Sequence, residues 1–163
     1  LIVIHGSHVG DIDGKATKEE ITEKLAKYGI SINTTKNKVQ IEIWGTGTPK
    51  REFMYSKDMA DACVYIMENI DFADTYGSNL KEIRNTHINI GTGKDISIKE
   101  LSQLVKTTIG FNGDFYFNSD KPDGTMVKLT DPTKLHSLGW KHRIELENGI
   151  KSMYDWYKEE NDK

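Results

Sequence analysis

Two basic residues, Arg51 and Lys128, each follow a turn whose residues restrict the backbone. Arg51 comes just after the Gly-Thr-Gly-Thr-Pro run of residues 45–49, and Lys128 follows a Pro-Asp-Gly turn at 122–124. A guanidinium presents a planar fork of donors that matches phosphate or carboxylate. Two cations displayed by rigid turns therefore predict a clamp for an anion such as a diphosphate. The same pattern is also typical of solvated surface charges, because Lys and Arg are mostly exposed.

The glycine-rich stretches do not match a nucleotide-binding loop. In the GTGKD run of residues 91–95, the residue five before Gly93 is Ile88 rather than Gly, and Asp95 replaces the needed Ser or Thr. The run also lacks the third glycine of the G-x-G-x-x-G dinucleotide fingerprint. The spacing favours an ordinary turn between a strand and a helix.

Neither a nucleophilic cysteine nor a metal site is indicated by the sequence. Cys63 lies among apolar residues of a predicted helix face, so a buried structural thiol is predicted. The histidines show no metal-ligand spacing with one another or with Cys63. They are His5, His8, His87, His136 and His142. Each is interpreted as a packing or surface residue, and no metal is expected.

Composition limits the classes of function. The chain has 163 residues, of which 36% are hydrophobic and 29% charged, as in an ordinary soluble domain. A net charge of -3 gives no general attraction to nucleic acid or anionic membranes. No apolar run is long enough to span a bilayer, and a single cysteine excludes an internal disulfide framework. We expect a cytoplasmic protein that binds neither nucleic acid nor membrane.

Hydrophobic spacing in the first half predicts helix, strand, short strand and helix. The run from Thr17 to Glu20 has capping-box spacing, and Gly29 ends that helix. Residues 39–44 alternate as a strand, and residues 52–55 are predicted as a second, short strand. Ser56 is predicted to cap the next helix. The apolar face of that helix is formed by Met59, Cys63, Ile66 and Met67.

The second half adds two predicted strands and three helices. Residues 87–91 are predicted as a buried strand and residues 114–117 as another. A second capping box, from Ser97 to Glu100, begins a helix that Gly110 ends. The last helices are a short one from Asp131-Pro132 to Gly139 and an amphipathic one with Leu146, Ile150, Tyr154 and Tyr157. The alternation indicates an α/β protein, more narrowly a small mixed α+β lobe.

Three runs together resemble the GDP-L-fucose synthase family. They are IEIWGTGTPKREFMYSKDMADACVYIME from Ile41, HINIGTGKDISIKEL from His87, and FNSDKPDGTMVKLTDPTKLHSLGWKHRIELENGIKSMYDWY from Phe117. The resemblance covers residues 39–157. Members of this family are extended short-chain dehydrogenases/reductases that epimerise GDP-4-keto-6-deoxymannose at C3 and C5 and reduce it at C4.

The resemblance implies a substrate-binding lobe that packs on a Rossmann domain. Residues 39–163 would be this C-terminal nucleotide-sugar-binding domain, residues 12–38 a helical insertion and loop, and residues 1–11 a non-native or disordered start. Matched position by position, the substrate contacts would be Trp44, Arg51, Asp123 and Lys128. One departure is Val127, where the family commonly has arginine, so a cation is lost.

The family's catalytic residues are not matched in this chain. Its Ser, Tyr and Lys, its glycine-rich NADP loop and its epimerisation Cys and His precede the matched part, and Met59 stands where a Tyr55-x-x-x-Lys would place lysine. The resemblance implies a fragment that is inactive alone and binds no cofactor itself. In the complete enzyme a base removes the C3 and C5 protons and NADPH delivers hydride to C4. The implied partners are a GDP-sugar, the chain's own N-terminal Rossmann domain and a second subunit in a homodimer.

Two alternatives stay open at this point. Another nucleotide-sugar enzyme of the superfamily, such as a GDP-mannose dehydratase or a GDP-heptose reductase or epimerase, is compatible with Val127 and with the long polar segment of residues 71–84. The sugar that the full-length protein turns over separates these readings. A free-standing binding module is the other alternative. A glycine-rich strand-turn-helix and a Tyr-x-x-x-Lys upstream would favour the enzyme.

Overall fold

The computed structural model describes residues 16–77 and 82–161, which form two small mixed sheets with helices packed around them. The helices are α1 Lys18–Ala26, α2 Ser56–Asn69, α3 Ile98–Ile109, α4 Thr133–Ser137 and α5 Leu146–Asn161, with a 3-10 turn at Phe72–Thr75. The strands are β1 Ile30–Asn33, β2 Lys38–Trp44, β3 Lys50–Glu52, β4 Asp95–Ser97, β5 Asp114–Asn118 and β6 Val127–Lys128. The predicted mixed α/β class is confirmed. None of the described helices has the length and apolar character needed to cross a bilayer.

The first sheet has the strand order β1-β2-β5. β1 runs antiparallel to β2, with Ile30 opposite Ile41, and β2 runs parallel to β5, with Ile43 opposite Phe117. The strands predicted at residues 39–44 and 114–117 are confirmed as β2 and β5. In each strand the alternating apolar residues line one face of the sheet. β1 was not predicted; it forms directly after Gly29, whose φ of 71° turns the chain back from α1.

The second sheet has the order β4-β3-β6 and is built from very short strands. β3 pairs antiparallel with β4 and parallel with β6. The strand predicted at residues 52–55 is therefore misplaced, since the paired residues are Lys50–Glu52. The Lys50 N–H donates to the Met126 carbonyl at 2.7 Å, which draws the pairing toward the preceding turn. Strands of two or three residues exist only through their partners, so sequence periodicity does not mark them.

Both predicted capping boxes are confirmed. The hydroxyls of Thr17 and Ser97 accept the N–H groups of Glu20 and Glu100 at 3.2 and 3.1 Å, and each glutamate accepts in return from the cap residue. These hydrogen bonds hold the pKa of both glutamates below its ordinary value. Gly110 ends α3 in the left-handed conformation. Local side-chain hydrogen bonds thus fix where these helices begin and end.

The face of α2 around Cys63 is open to solvent, so the predicted buried thiol is wrong. Cys63 is exposed, and Met67 is 76% exposed. The buried residues of this helix are Asp58 and Ala62. The predicted Ser56 cap is also wrong, because the cap residue is Tyr55 and no side chain caps the helix.

Asp58 explains why α2 does not bury the face around Cys63. Its carboxylate is 4% exposed and accepts the N–H groups of Arg143 and Ile144 at 3.1 and 2.8 Å. A buried carboxylate is stable only with such partners. Sequence spacing placed the apolar face of α2 inward, whereas the backbone N–H groups of Arg143 and Ile144, in the segment before α5, hold the Asp58 face inward instead.

Residues 87–91 are not a strand, which corrects another prediction. Ile88 and Ile90 pack against the buried core, so their alternation correctly indicated burial. No ladder forms, however, and the carbonyl groups nearby are used by a side chain: the Lys134 ammonium donates to the carbonyls of Thr75 and His87 at 3.1 and 3.0 Å. It also donates to the Asn85 carbonyl. Lys134 therefore fastens this irregular segment to α4.

A small core joins α2, α4 and the segment that follows α4. Its buried residues are Ala62, Leu135 and Trp140, packed against the partly buried Met54, Tyr65, Ile66, Ile88 and Ile90. The indole N–H of Trp140 donates to Asp61 at 2.8 Å, and the Tyr65 hydroxyl donates to the Leu138 carbonyl at 2.7 Å. The indole N–H and the phenol hydroxyl in this core thus both have hydrogen-bond acceptors.

The Glu52 carboxylate ties three segments together. One oxygen accepts the N–H groups of Thr92 and Gly93 and the Thr92 hydroxyl, and the other accepts the Thr130 N–H at 3.0 Å. Partial burial by itself raises the pKa of Glu52. The hydrogen bonds from Thr130, Gly93 and Thr92 together outweigh that effect and hold the pKa below its ordinary value. β3, the 91–93 turn and the residues after β6 meet at this side chain.

We expect Leu135→Ala to lower the free energy of unfolding by about 2–5 kcal/mol, because Leu135 is fully buried and its truncation leaves a cavity. Urea unfolding followed by circular dichroism measures the change. The matched control is Leu129→Ala: Leu129 is 48% exposed, so its truncation should cost less than about 0.5 kcal/mol. Equal effects of the two substitutions would contradict this placement of the core.

We expect Glu52→Gln to lower the free energy of unfolding by about 1–3 kcal/mol near neutral pH. Folding lowers the Glu52 pKa, so the stabilisation is present above the ordinary carboxyl pKa of about 4.3 and is lost as the pH falls through the folded-state pKa. Urea unfolding of parent and variant should therefore converge in acid. Glu68→Gln, at an exposed carboxylate on α2, is the control and should have the same free energy of unfolding as the parent near neutral pH. A pH-independent deficit in Glu52→Gln would refute the titration.

Candidate functional site

The structure brings the four predicted site residues to neighbouring positions. Trp44 is the last residue of β2. Asp123 is hydrogen-bonded to Thr46, which follows Trp44 by two residues. Arg51 lies in β3 directly opposite Lys128 of β6. Because Thr46 belongs to the turn that connects Trp44 to Arg51, the two pairs belong to one continuous site.

Trp44 presents a broad apolar surface. Its side chain is 69% exposed, and the Lys121 ammonium lies 5.3 Å from the centre of the indole ring. A lysine at this distance makes a cation–π contact, which favours one orientation of the ring. A flat, oriented indole can serve as a wall for a ring-shaped ligand.

Arg51 is a fixed residue rather than a free surface charge. Its Nη1 donates to the carbonyls of Lys50 and Thr125, both at 2.6 Å. Within residues 16–77 and 82–161, Nη2 and Nε donate to no side chain or carbonyl. A Cβ at Gly124 would lie 2.9 Å from Nη2, so glycine is what lets the loop pass so close. The guanidinium is therefore anchored by one nitrogen, with its other donors available to a ligand.

The loop of residues 121–126 is locked to the turn of residues 45–49. The Asp123 carboxylate accepts the Thr46 N–H at 2.9 Å and the Thr46 hydroxyl at 2.6 Å. Gly45 has a φ of 82°, and a Cβ there would lie 2.2 Å from the carboxylate. A side chain at residue 45 is thus excluded both by the backbone conformation and by Asp123.

Positive charge dominates the site. Lys50 pairs with Asp95 at 3.6 Å, and the Asp123 carboxylate is engaged by Thr46. In the part of the chain that the structure describes, Arg51, Lys121 and Lys128 have no carboxylate partner. Three cations without an ion-pair partner, together with one carboxylate and an exposed indole, suit an anionic ligand that carries a ring, such as a nucleoside diphosphate.

Sequence reasoning missed Thr46, Lys121 and Thr125 as parts of this site. It treated the turns at 45–49 and 122–124 as separate devices, although the Thr46–Asp123 contact joins residues 77 apart in the chain. The threonine between two glycines gave no signal of its own. The parallel pairings of β2 with β5 and of β3 with β6 bring the turns together.

The glycine-rich turn at residues 91–95 does not fit the phosphates of a dinucleotide. The N–H groups of Thr92 and Gly93, which would receive a phosphate, already donate to the Glu52 carboxylate. Nor do any three His, Cys, Asp or Glu residues meet as metal ligands among those described. His5 and His8 lie outside the described residues.

Comparison with known proteins shows the family to which the chain belongs. The sequence profile of the NAD dependent epimerase/dehydratase family matches residues 1–91. GDP-L-fucose synthase of Escherichia coli is 42% identical over 130 residues, which is 80% of this chain and 40% of that protein. GDP-L-fucose synthase 1 of Arabidopsis thaliana is 44% identical over 118 residues, covering 72% and 33%. The chain therefore spans between a third and two fifths of these curated relatives.

Solved structures share the fold. A GDP-6-OMe-4-keto-L-xylo-heptose reductase from Campylobacter jejuni superposes with a TM-score of 0.77 at 51% identity, covering 89% of this chain and 39% of that one. A GDP-mannoheptose C4 reductase from the same organism, solved with NADP bound, gives 0.70 at 50% identity, covering 88% and 38%. A GDP-L-fucose synthetase from Naegleria fowleri gives 0.61 at 25% identity, covering 76% and 35%.

The family profile covers more than half of the chain, and the resemblance noted in the sequence is confirmed by relatives with over 40% identity. The structural neighbours with about half of their residues identical act, by their names, on GDP-linked sugars. On this evidence the chain belongs to the NAD dependent epimerase/dehydratase family.

Proposed function

We propose that this chain is the C-terminal, substrate-binding part of a GDP-sugar epimerase/reductase. The observation that carries the proposal is the anchored guanidinium of Arg51, whose remaining nitrogens donate to no other described group. Lys128 stands opposite it in β6, and Trp44 lies at the other end of the turn. The names of the relatives, which include GDP-L-fucose synthase and GDP-heptose reductases, supply the class of ligand.

In this proposal the diphosphate of the GDP-sugar binds between Arg51 and Lys128. Charge-assisted hydrogen bonds from a guanidinium to phosphate are among the stronger polar contacts in proteins. Trp44 provides an apolar wall for a ring of the ligand, and Asp123 belongs to the same site. Because Nη1 is already held by two carbonyls, little side-chain entropy is lost when the substrate binds.

The chemistry is assigned to the rest of the enzyme. We place the catalytic Ser, Tyr and Lys and the NADP site in an N-terminal Rossmann domain, so that this chain alone is inactive. The NADP bound to the Campylobacter jejuni GDP-mannoheptose C4 reductase supports this cofactor. The engagement of Thr92 and Gly93 by Glu52 supports its absence from the described residues. The complete enzyme is proposed to be a cytoplasmic homodimer.

Two GDP-sugars are candidate substrates. The sequence motifs favour GDP-4-keto-6-deoxymannose, the substrate of GDP-L-fucose synthases, and the Escherichia coli enzyme is 42% identical over 80% of the chain. Identity to the heptose reductase is higher, at 51% over 89% of the chain. Val127, which replaces the expected arginine, also departs from the fucose pattern. The higher identity to the heptose reductase and the departure at Val127 favour a GDP-4-keto-heptose as the substrate.

We expect the full-length enzyme to reduce a GDP-4-keto-heptose with NADPH at a higher kcat/KM than GDP-4-keto-6-deoxymannose. NADPH consumption at 340 nm with each substrate, and mass spectrometry of the products, measure the preference. The reverse preference would restore the GDP-L-fucose synthase assignment. Turnover of neither sugar would refute the proposed function itself.

We expect Arg51→Lys in the full-length enzyme to raise the KM for the GDP-sugar. Lysine keeps the charge but loses the fork. Loss of one charged hydrogen bond costs about 1.5–3 kcal/mol, which corresponds to a KM about 10- to 100-fold higher. Arg84→Lys is the control, because Arg84 is exposed in the polar segment and pairs only with Glu82 among the described residues. An unchanged KM in Arg51→Lys would mean that Arg51 only holds the loop.

A further inference from the structure

Glu42 places a carboxylate on the same face of the first sheet as Trp44. The two residues are two positions apart in β2, so both side chains project from one face, about 7 Å apart along the strand. Lys121 contacts the Trp44 ring, and this ring has no aromatic partner among the described residues. A planar base that stacks on the indole, on the side away from Lys121, can therefore extend its edge toward Glu42.

Asn118 fixes the orientation of the Glu42 carboxylate. Its side-chain amino group donates to Glu42 Oε1 at 2.6 Å, while its carbonyl oxygen accepts the Asp120 N–H at 3.1 Å. Asn118 lies directly opposite Trp44 in β5. The carboxylate is thus held by a residue that is itself fixed at both ends of its amide. Both oxygens of Glu42 keep the capacity to accept further hydrogen bonds.

The charge of Glu42 is not neutralised within residues 16–77 and 82–161, where its side chain forms no ion pair. On one side lies Gly29, whose carbonyl accepts the Glu42 N–H at 2.7 Å and which places no side chain over the carboxylate. On the other side Tyr116 is paired with Glu42 in the sheet and is 47% exposed. A half-buried carboxylate with one amide donor suits a ligand that supplies more donors.

Guanine is the base whose Watson–Crick edge offers two adjacent donors, the N1–H and the 2-amino group. Two parallel donors fit the two oxygens of one carboxylate, as those of a guanidinium do. Adenine instead presents its amino group beside the N1 acceptor, and a carboxylate repels an acceptor. Uracil presents one N–H between two carbonyl groups. A carboxylate at this position therefore favours guanine by attraction and disfavours the other bases by repulsion.

We propose that Glu42 selects the base of the nucleotide, because its carboxylate accepts the N1–H and 2-amino groups of a guanine that stacks on Trp44. Asn118 is a positioning residue that acts through Glu42. The proposal rests on the proposed function for the diphosphate and the sugar, and it goes beyond that function. There the names of the relatives supply the GDP class of ligand, whereas Glu42 would account for it by a contact within this chain.

The test compares full-length parent enzyme and Glu42→Gln by calorimetric titration with GDP, IDP and ADP. Glutamine has the size of glutamate and still accepts from Asn118, but an amino group replaces one acceptor oxygen. We expect the affinity for GDP to fall about 10- to 100-fold, as for the loss of one charge-assisted hydrogen bond. The affinity for ADP should not fall, since glutamine offers adenine both a donor and an acceptor. Retained ADP binding also shows that the variant is folded.

IDP isolates the contact with the 2-amino group, because hypoxanthine lacks this group and otherwise matches guanine. The parent should bind GDP about tenfold more tightly than IDP. In Glu42→Gln this difference should disappear, as a pairwise contact requires. If Glu42→Gln left the relative affinities for GDP, IDP and ADP unchanged, the role of Glu42 would be overturned.

Asp114→Asn is the matched control for charge. Asp114 lies on the same face of the sheet, but opposite Gln40 and so at the end away from Trp44. Removal of either negative charge alone makes an anionic ligand bind more tightly, whatever its base. A lower affinity for GDP in Glu42→Gln therefore cannot come from the change of charge. Asp114→Asn should keep the preference for GDP over ADP, and an equal loss of this preference in both variants would refute the selective role of Glu42.

Turnover separates the role of Glu42 from the proposed function. Suppose that the parent prefers GDP, that Glu42→Gln loses this preference, and that the parent turns over no GDP-sugar. The role of Glu42 would then stand and the proposed function would be refuted. Conversely, turnover of a GDP-sugar with an unchanged base preference in Glu42→Gln would retain the proposed function and overturn the role of Glu42.

Discussion

The hydrogen bonds of the Glu52 carboxylate are the constraint on which the site depends. Glu52 is adjacent to Arg51 in β3, and successive side chains of a strand point to opposite faces. Once Glu52 is held by Thr92, Gly93 and Thr130, Arg51 must face the other way, toward the 121–126 loop. A three-residue strand has few ladder bonds of its own, so this carboxylate supplies much of its orientation. The partial burial of Glu52 is tolerated because N–H groups surround both oxygens.

The same carboxylate uses the backbone donors of the glycine-rich turn at residues 91–93. Backbone N–H groups in a Gly-Thr-Gly turn are ready-made anion ligands. Here the anion is Glu52 of the same chain, which fills the position that a phosphate would need. Across β3, the anionic ligand of the proposed function meets side-chain cations instead, namely Arg51 and Lys128. The short strand thus separates an internal anion site from an external one.

Local patterns predicted the elements whose signals are contained within a few residues. The capping boxes at Thr17 and Ser97 and the alternation of β2 and β5 all appear as expected, because side chain and backbone partners lie close in sequence. The incorrect predictions share a different cause, which is a hydrogen-bonding partner distant in sequence. The Lys134 ammonium takes the carbonyls around residues 85–87, and Asp58 turns α2 so that Cys63 faces solvent.

In the candidate site, too, local signals were predicted and partners distant in sequence were not. Trp44 and Arg51 could be named from the sequence because a resemblance marked them, and a rigid turn beside Arg51 suggested a fixed guanidinium. The partners that fix them could not be named. The contact between Asp123 and Thr46 joins residues 77 apart in the chain, where the pairings of β2 with β5 and of β3 with β6 bring the two turns together. Spacing indicated that something would be held at this site, whereas packing determined how the side chains are held.

The chemistry of the site also explains why its motifs leave the sugar undecided. A clamp on the diphosphate binds the part that all GDP-sugars share, so Arg51 contributes equally to the binding of each candidate. Discrimination between two substrates requires a contact that differs between them. Val127, opposite Lys50 and 57% exposed, removes a cation from β6 but leaves Arg51 anchored. In the proposed function the names of the relatives supply the GDP class of ligand, while the choice between a six-carbon and a seven-carbon sugar depends on groups that meet the sugar itself.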